Sequence, residues 1–191
     1  TAAGIRRIEA VSGWRAYELI QKRFQIIKNI SLMLGVAPEE IPHKATEILE
    51  ALNTARKEIS DLRHELASKE FIQHLVSVQT IKGVPVLAAS LPGADIDTLR
   101  EMTDRFRQKY PTGVAVLATV SKDERPIVIA TITEDLVQRG LHAGDLVKHI
   151  AQPLGGSGGG RPTLAQAGGK DASQLDKALF MARQWVEEHL K

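Results

Sequence analysis

The first part of the chain repeats apolar positions with the period of a helix. Residues 17–34 place apolar or small side chains three and four positions apart, and residues 48–66 do the same within a predicted helix over 44–76. Gly35 and Pro38 interrupt the pattern between the two segments. The two stripes predict an antiparallel helical hairpin. Alternatively, the longer second stripe pairs with a copy of itself in a dimer.

Beyond Ser77 the pattern changes to short apolar runs rich in β-branched residues. Three runs read as strands buried on both faces, namely 84–89, 114–118 and 127–130. Residues 95–110 carry helical spacing between the first two runs, with Asp95 or Asp97 available as a cap. Further helices are expected at 133–139, 143–151 and 172–190. This order predicts an α/β domain.

The fold class is therefore α/β, with an antiparallel helical hairpin arm followed by a small α/β globular domain that carries a glycine-rich loop. The arm covers residues 14–78 and the domain covers residues 79–191. We place the boundary between Ser77 and Lys82, where the helical period ends.

Composition narrows the function classes. The 191 residues are 43% hydrophobic and 25% charged, which is typical of a globular chain. Cysteine is absent, which excludes disulfides, thiolate nucleophiles and thiolate metal sites, and fits a reducing compartment such as the cytoplasm. No apolar run approaches the ~20 residues that cross a bilayer, so we expect no membrane partner.

The net charge of +2 hides an uneven distribution. Residues 1–34 carry a local balance of +4, and residues 139–170 carry a balance of +3. Two readings stay open at this point: basic faces that are simply solvated, and contact with a polyanion.

Seven of the fifteen glycines fall within residues 155–169. The segment fits neither a dinucleotide fingerprint, because Arg161 stands where the third glycine belongs, nor a P-loop, because Asp171 follows Lys170. A flexible linker has no use for the Arg161, Pro162 and Gln166 side chains within it. The density of glycine instead indicates close approach of the backbone to another chain or to an anion.

An acid–base cluster is the enzyme alternative. His142 and His149 flank Asp145 at helical spacing, but no metal partner or nucleophile accompanies them, so we interpret them as surface polar residues. We predict no catalytic residue, no metal ligand and no cofactor in this chain.

Two motifs resemble one family. The string GSGGGRP at 156–162, followed by AQAGG at 165–169, resembles the signature of the DHHA1-type domain that ends alanyl-tRNA synthetases. Related domains accompany DHH-type phosphoesterases. The string AGIRRIEAVSG at 3–13 resembles the segment that closes the synthetase editing domain, so residues 1–13 are predicted to be its remnant.

The resemblance implies a fragment of a longer parent. The chain does not begin with methionine and lacks the cysteine of the editing-domain zinc ligands, so we expect it neither to charge nor to edit tRNA by itself. The parent is implied to be an ATP-dependent class II alanine–tRNA ligase that uses ATP, Mg and Zn. The implied role of this region is to bind tRNA-Ala at the elbow, where the D and T loops meet, and to tether the domains that ligate alanine and edit mischarged tRNA.

The residues that we expect to contact tRNA are glycines, cations and one amide of the two basic segments. They are Gly156, Gly158, Gly159, Gly160, Arg161, Gln166, Lys170, Lys148, Arg139, Arg15 and Lys22. Arg161 follows three glycines and is free to meet a phosphate bidentately, while Lys170 opens the last helix. Alternatively, Arg15 and Lys22 only solvate the outer side of the hairpin. Two alternatives remain for the whole chain: an oligomerisation module that makes a homodimer of the synthetase, and an accessory substrate-binding domain of a DHH-type phosphoesterase.

Overall fold

A computed structural model describes residues 9–121 and 123–190. The chain divides into two compact units, and the division falls between Glu58 and Ile59. Of the predicted editing-domain remnant, residues 1–8 lie outside the described part of the chain. Within the described residues, no helix combines the length and the apolar character needed to span a bilayer.

The first unit is helical. Helix α1 (Gly13–Leu34) ends at Gly35, whose left-handed backbone, with φ of 65°, lets its N–H donate to the Ser31 carbonyl. A short 3₁₀ turn (Pro38–Glu40) then leads into α2 (Ile41–Val76). The predicted helical arm ahead of an α/β unit is thus confirmed.

The residues that the structure describes leave the apolar stripe of the arm exposed. Helix α1 contains no buried residue, and its Phe24 is 63% exposed. The stripe of α2 is also open to solvent, with Leu52 42% exposed and Leu62 58% exposed. The spacing correctly predicted two helices. It also implied that their apolar stripes are buried against each other, and this burial is not seen.

The second unit contains the sheet. Its described strands are β1 (Gln79–Ile81), β2 (Val84–Ser90), β3 (Val114–Val120), β4 (Pro126–Ile132), β5 (Ser157–Gly160) and β6 (Leu164–Gly168). The helices after α2 are α3 (Ile96–Lys109), α4 (Glu134–Gln138), α5 (Ala143–Ala151) and α6 (Leu175–His189). The strands form one sheet in the order β1-β2-β3-β4-β6-β5, in which β2 and β3 are parallel and the other pairs are antiparallel.

Alternate residues of the strands serve two separate cores. Val116, Val128 and Ala165 point to the face that α4, α5 and α6 cover, whereas Leu117 and Ile129 point to the face covered by α3 and the end of α2. The predicted strands buried on both faces are therefore confirmed in β2, β3 and β4. The result is a sheet between two helical layers.

Two features differ from the sequence prediction. The last turns of α2 belong to the second unit, because Ala67 and Phe71 are buried against the sheet, so the units meet near residue 58 rather than at 77–82. The glycine-rich loop is a β-hairpin, formed by β5 and β6. Glycine has a low strand propensity, so the glycine-rich sequence did not indicate a hairpin here.

Candidate functional site

The glycines of β5, together with Gly156 just before it, have two different roles in the hairpin. An added Cβ at Gly156 would lie 1.8 Å from a backbone oxygen of the facing strand, one at Gly158 would lie 2.5 Å from the Ala167 Cβ, and one at Gly160 would lie 2.5 Å from a backbone Cα. These glycines allow β5 to approach β6 closely. At Gly159 an added Cβ would meet nothing within 4 Å, so this position leaves an open surface.

The turn that joins β5 to β6 is anchored on both sides. Arg161 N–H donates to the Leu164 carbonyl at 2.8 Å, which closes the turn around Pro162 and Thr163. The Pro162 carbonyl accepts the Ala143 N–H at 2.8 Å. The turn therefore holds the base of the Arg161 side chain in a defined position.

A cleft of about 410 Å³ lies between α3 and this hairpin. Ile129, Gln166 and Gly159 are register partners across β4, β6 and β5, so they face the same side of the sheet as α3. Leu164 faces that side as well and packs against the core beneath α3. The floor of the cleft is therefore mainly apolar, with one amide, and Gly159 keeps it free of side-chain bulk.

Three arginines line this cleft. Arg100 on α3 donates from Nη2 to the Gln166 Oε1 at 3.1 Å and contacts Asp97 at 3.4 Å. Arg107, two helical turns further on, pairs with Asp104. The Arg161 guanidinium has no hydrogen bond or ion pair to any residue that the structure describes.

This arrangement is suited to an anion that carries an apolar flat group. Guanidinium groups bind phosphate oxygens bidentately, and one of the three has no competing partner. The ion pairs of Arg100 and Arg107 are exposed, and exposed pairs contribute only about 0–1 kcal/mol, so they yield readily to a phosphate.

The structure brings only part of the predicted site together. Gly159, Gly160, Arg161 and Gln166 line the cleft, and Gly156 and Gly158 serve strand packing. Lys170 lies beyond the other end of β6, where it lines a separate depression.

The depression at Lys170 contains carboxylates, and the turn beside it is already capped. Asp123 and Glu124 line it together with Lys170. Asp171 accepts the Ser173 N–H at 2.9 Å, so the chain's own carboxylate occupies the start of the last helical segment, where we had expected an external anion.

The remaining predicted cations lie elsewhere. Lys148 is on α5, in the layer on the opposite face of the sheet from the cleft, and is 3.6 Å from Asp145. Arg139 ends α4 in that same layer. Arg15 and Lys22 are exposed residues of α1, in the first unit. The structure does not bring these side chains to the cleft.

Arg100 and Arg107 were not among the residues predicted from the sequence. The available signal was their spacing of seven residues on a predicted helix, which places both on one face. What the sequence could not show was that this face borders the glycine hairpin, because the pairing of β4 with β6 is a long-range contact.

Within residues 9–121 and 123–190, no group of three or more His, Cys, Asp or Glu side chains could hold a metal ion. The described residues therefore offer no ligand set for the zinc that the resemblance implies for a longer parent.

Known proteins match the chain along most of its length. An alanine–tRNA ligase from Dehalococcoides mccartyi is 40% identical over 177 residues, covering 93% of this chain and 20% of the relative. Those from Aromatoleum aromaticum and Acidithiobacillus ferridurans are 41% and 43% identical over 189 residues, each covering 99% of this chain and 21% of the relative. The chain thus spans about a fifth of the length of these relatives.

The fold also has a solved counterpart. The C-Ala domain of alanyl-tRNA synthetase from Aquifex aeolicus superposes with a TM-score of 0.51 at 21% identity, covering 59% of this chain and 96% of that one. The model of the DHHA1 domain matches residues 83–188, which include the sheet from β2 onward and the whole cleft. The chain belongs to the DHHA1 domain family.

Proposed function

We propose that this chain is the C-terminal tRNA-binding and tethering module of an alanine–tRNA ligase. Its relatives are named alanine–tRNA ligases, and they match it over nearly its whole length. The observation that carries the binding role is the cleft beside the glycine hairpin. The Arg161 guanidinium has no partner there among the described residues, and Arg100 and Arg107 line the same space. Such a surface takes RNA phosphates.

The module supplies binding rather than chemistry. The parent enzyme uses ATP and Mg to attach alanine to tRNA-Ala, and its editing domain removes mischarged amino acids with the help of Zn. The module holds the outer corner of the tRNA, so that the acceptor end is shared between those two centres in the cytoplasm. Tethering raises the effective concentration of the acceptor end at each centre.

The test of tRNA binding removes two arginines of the cleft together. In the variant with Arg161→Ala and Arg107→Ala, affinity for a tRNA-Ala transcript is expected to fall, and each lost phosphate contact is expected to reduce the magnitude of the slope of log K against log salt by about 0.7–0.9. Affinity is measured by filter binding at two salt concentrations. Lys177→Ala, an exposed cation on α6, serves as the control. An unchanged affinity and slope in the double variant would contradict the proposal.

A second role, homodimer formation by the arm, is favoured by one observation. The apolar stripes of α1 and α2 are exposed in the single chain, with Ile27, Ile48 and Leu52 each at least 40% exposed. Heptad stripes of this kind associate when a partner covers them. This role is compatible with tRNA binding, because the cleft lies in the second unit.

A further inference from the structure

We infer that a second pocket, formed where β2 leads into α3, binds a small zwitterion that carries an apolar side chain. The pocket shares no lining residue with the cleft beside the glycine hairpin, so the inference goes beyond the proposed function. The volume of the pocket is about 540 Å³, which lies within the range of small-molecule sites.

The pocket lies at the carboxyl ends of β2 and β3, which are parallel neighbours in the sheet. Ligands of α/β sheets bind at this end of parallel strands. The lining residues come from the end of α2, the turn after β2, the start of α3, and the facing ends of β3 and β4. All of them belong to the second unit.

The turn between β2 and α3 is held by backbone hydrogen bonds. Leu91 N–H donates to the Ala118 carbonyl at 2.7 Å, and Ala94 N–H donates to the Leu91 carbonyl at 3.2 Å. Gly93 occupies this turn with a φ of 79°, a conformation that glycine adopts without strain. The Arg63 stem lies over Gly93, since a Cβ on that glycine would be 3.7 Å from the Arg63 Cγ. The turn thus supports the side chain that brings positive charge to the pocket.

Opposite charges line the pocket without neutralising one another. Arg63 has no hydrogen bond or ion pair to any residue that the structure describes. Asp95 accepts the Thr98 N–H at 2.8 Å, and Asp97 lies 3.4 Å from Arg100, so neither carboxylate is paired with Arg63. Because a carboxylate has lone pairs for about four hydrogen bonds, both aspartates can accept from a further donor.

This set of charges determines the charges of the ligand. A simple anion would be attracted by Arg63 but repelled by Asp95 and Asp97, and a simple cation would be repelled by Arg63. A zwitterion places its carboxylate on the guanidinium and its ammonium on the aspartates. Each ligand charge then makes charge-assisted hydrogen bonds with a group of the opposite sign.

The rest of the lining is mainly apolar. Ala94, Ile96, Val120 and Ile127 contribute aliphatic side chains, and Val120 is 37% exposed. Apolar ligand atoms gain free energy when such a surface removes them from water. The ligand therefore carries an apolar side chain beside its two charges, as leucine does.

The pocket is tested by titrating the ¹⁵N-labelled 191-residue chain with leucine and following the backbone amide shifts. We expect saturable shifts with a Kd of about 1 mM, largest at Gly93–Asp97 and Ser121. Absence of saturable shifts at these residues would overturn the inference.

Three analogues of leucine test its three groups. Leucinamide lacks the carboxylate, N-acetyl-leucine lacks the ammonium, and glycine lacks the apolar side chain. Each is expected to bind about tenfold more weakly than leucine. An affinity equal to that of leucine for any of the three would overturn the inference.

The variant Arg63→Gln locates the carboxylate. It is expected to weaken leucine binding about tenfold and not to weaken leucinamide binding, because leucinamide has no carboxylate to lose a contact. Lys57→Gln removes a cation from the same helix outside the pocket, and both affinities should be unchanged in this control. Equal losses for the two ligands in Arg63→Gln, or no loss for leucine, would overturn the inference.

The variant Asp97→Asn locates the ammonium and leaves the Asp95 cap intact. It is expected to weaken leucine binding and not to weaken the binding of N-acetyl-leucine. Asp104→Asn is the matched control, because Asp104 also pairs with the arginine three residues on but lies outside the pocket. Equal effects of the two substitutions on leucine binding would overturn the inference.

Free amino acids and short peptides share the chemistry of this ligand, and a parallel titration with leucyl-leucine distinguishes them. The two charges of the dipeptide lie further apart than those of leucine. Tighter binding of leucine identifies a free amino acid as the ligand, and tighter binding of the dipeptide identifies peptide termini. Either result supports the zwitterion site, whereas failure of both ligands to bind overturns it.

Discussion

Gly158 and Gly159 are neighbours in β5, but each is glycine for a different reason. Gly158 faces the core side of the sheet, opposite Ala167, where no Cβ can be accommodated, whereas Gly159 faces the open cleft. Adjacent positions of one strand therefore differ, since Gly158 allows the strands to pack and Gly159 leaves the cleft open, because successive residues of a strand point to opposite faces.

This difference predicts different costs for the same substitution. Gly158→Ala is expected to lower the free energy of unfolding by about 1–3 kcal/mol, because its Cβ would press on Ala167 and displace the strand. Gly159→Ala is expected to change it by less than about 0.5 kcal/mol. Urea denaturation of the two variants measures both. Equal stability would mean that the close approach of β5 to β6 is not maintained in solution.

The cap of α3 depends on one carboxylate. Asp95 accepts the Thr98 N–H at 2.8 Å, and this hydrogen bond holds the pKa of Asp95 below its usual range. A lowered folded-state pKa contributes stability that is fully present above the unfolded-state pKa and is lost as the pH falls through the folded-state pKa.

The variant Asp95→Asn isolates this contribution. It keeps a capping oxygen but no charge, so the native chain is expected to be more stable by about 0.5 kcal/mol at neutral pH, from the carboxylate at the helix N-terminus. The advantage should disappear in acid, below the lowered pKa of Asp95. Thermal melts of both proteins from neutral to acidic pH provide the measurement, and a constant difference at every pH would contradict the assignment.

At the scale of elements, the end of α2 is part of the second unit. Phe71 is 1% exposed and packs in the core beneath α3. Polar contacts reinforce this packing, since His64 Nε2 lies 2.8 Å from Glu101 Oε2 and Arg105 donates to the Ser68 Oγ at 2.9 Å. The helical period continues unbroken through this region, so periodicity by itself placed the boundary too late.

Phe71→Ala therefore tests where the second unit begins. The substitution leaves a cavity in a buried core and is expected to lower the free energy of unfolding by about 3–5 kcal/mol. Ile72→Ala, at a neighbouring position that is 56% exposed, is expected to change it by no more than about 0.5 kcal/mol. Guanidinium denaturation followed by circular dichroism compares them. If both substitutions have similarly small effects, the second unit instead begins at residues 77–82.

At the scale of the whole molecule, the arm has apolar surface that residues 9–121 and 123–190 leave exposed. Leu52 lies within the α2 stripe and is 42% exposed. A charge there would be buried if a second copy covered the stripe, and burial of an unpaired charge strongly opposes association.

Sedimentation velocity tests this arm-mediated dimer. The native chain is expected to show a concentration-dependent shift to a dimer, and Leu52→Asp is expected to remain monomeric. Asn53→Asp introduces the same side chain at the adjacent exposed position, outside the stripe, and is expected to behave as the native chain. Monomers in all three samples would exclude the dimer and leave the stripes without a partner of this kind.

The local pattern of residues was sufficient for most elements of this protein. Period and β-branched content located α1, α2, α3 and the strands β2 to β4, because these signals depend on neighbours along the chain. The motif at 156–162 and 165–169 also led to the family, which the DHHA1 match confirms.

The cleft was decided by the tertiary structure alone. It requires β6 to pair with β4, so that Gln166 lies beside Ile129, and it requires α3 to cover that face, so that Arg100 reaches Gln166. Both are contacts between residues far apart in the chain. No local pattern encodes them, because they depend on how whole strands and helices pack against one another.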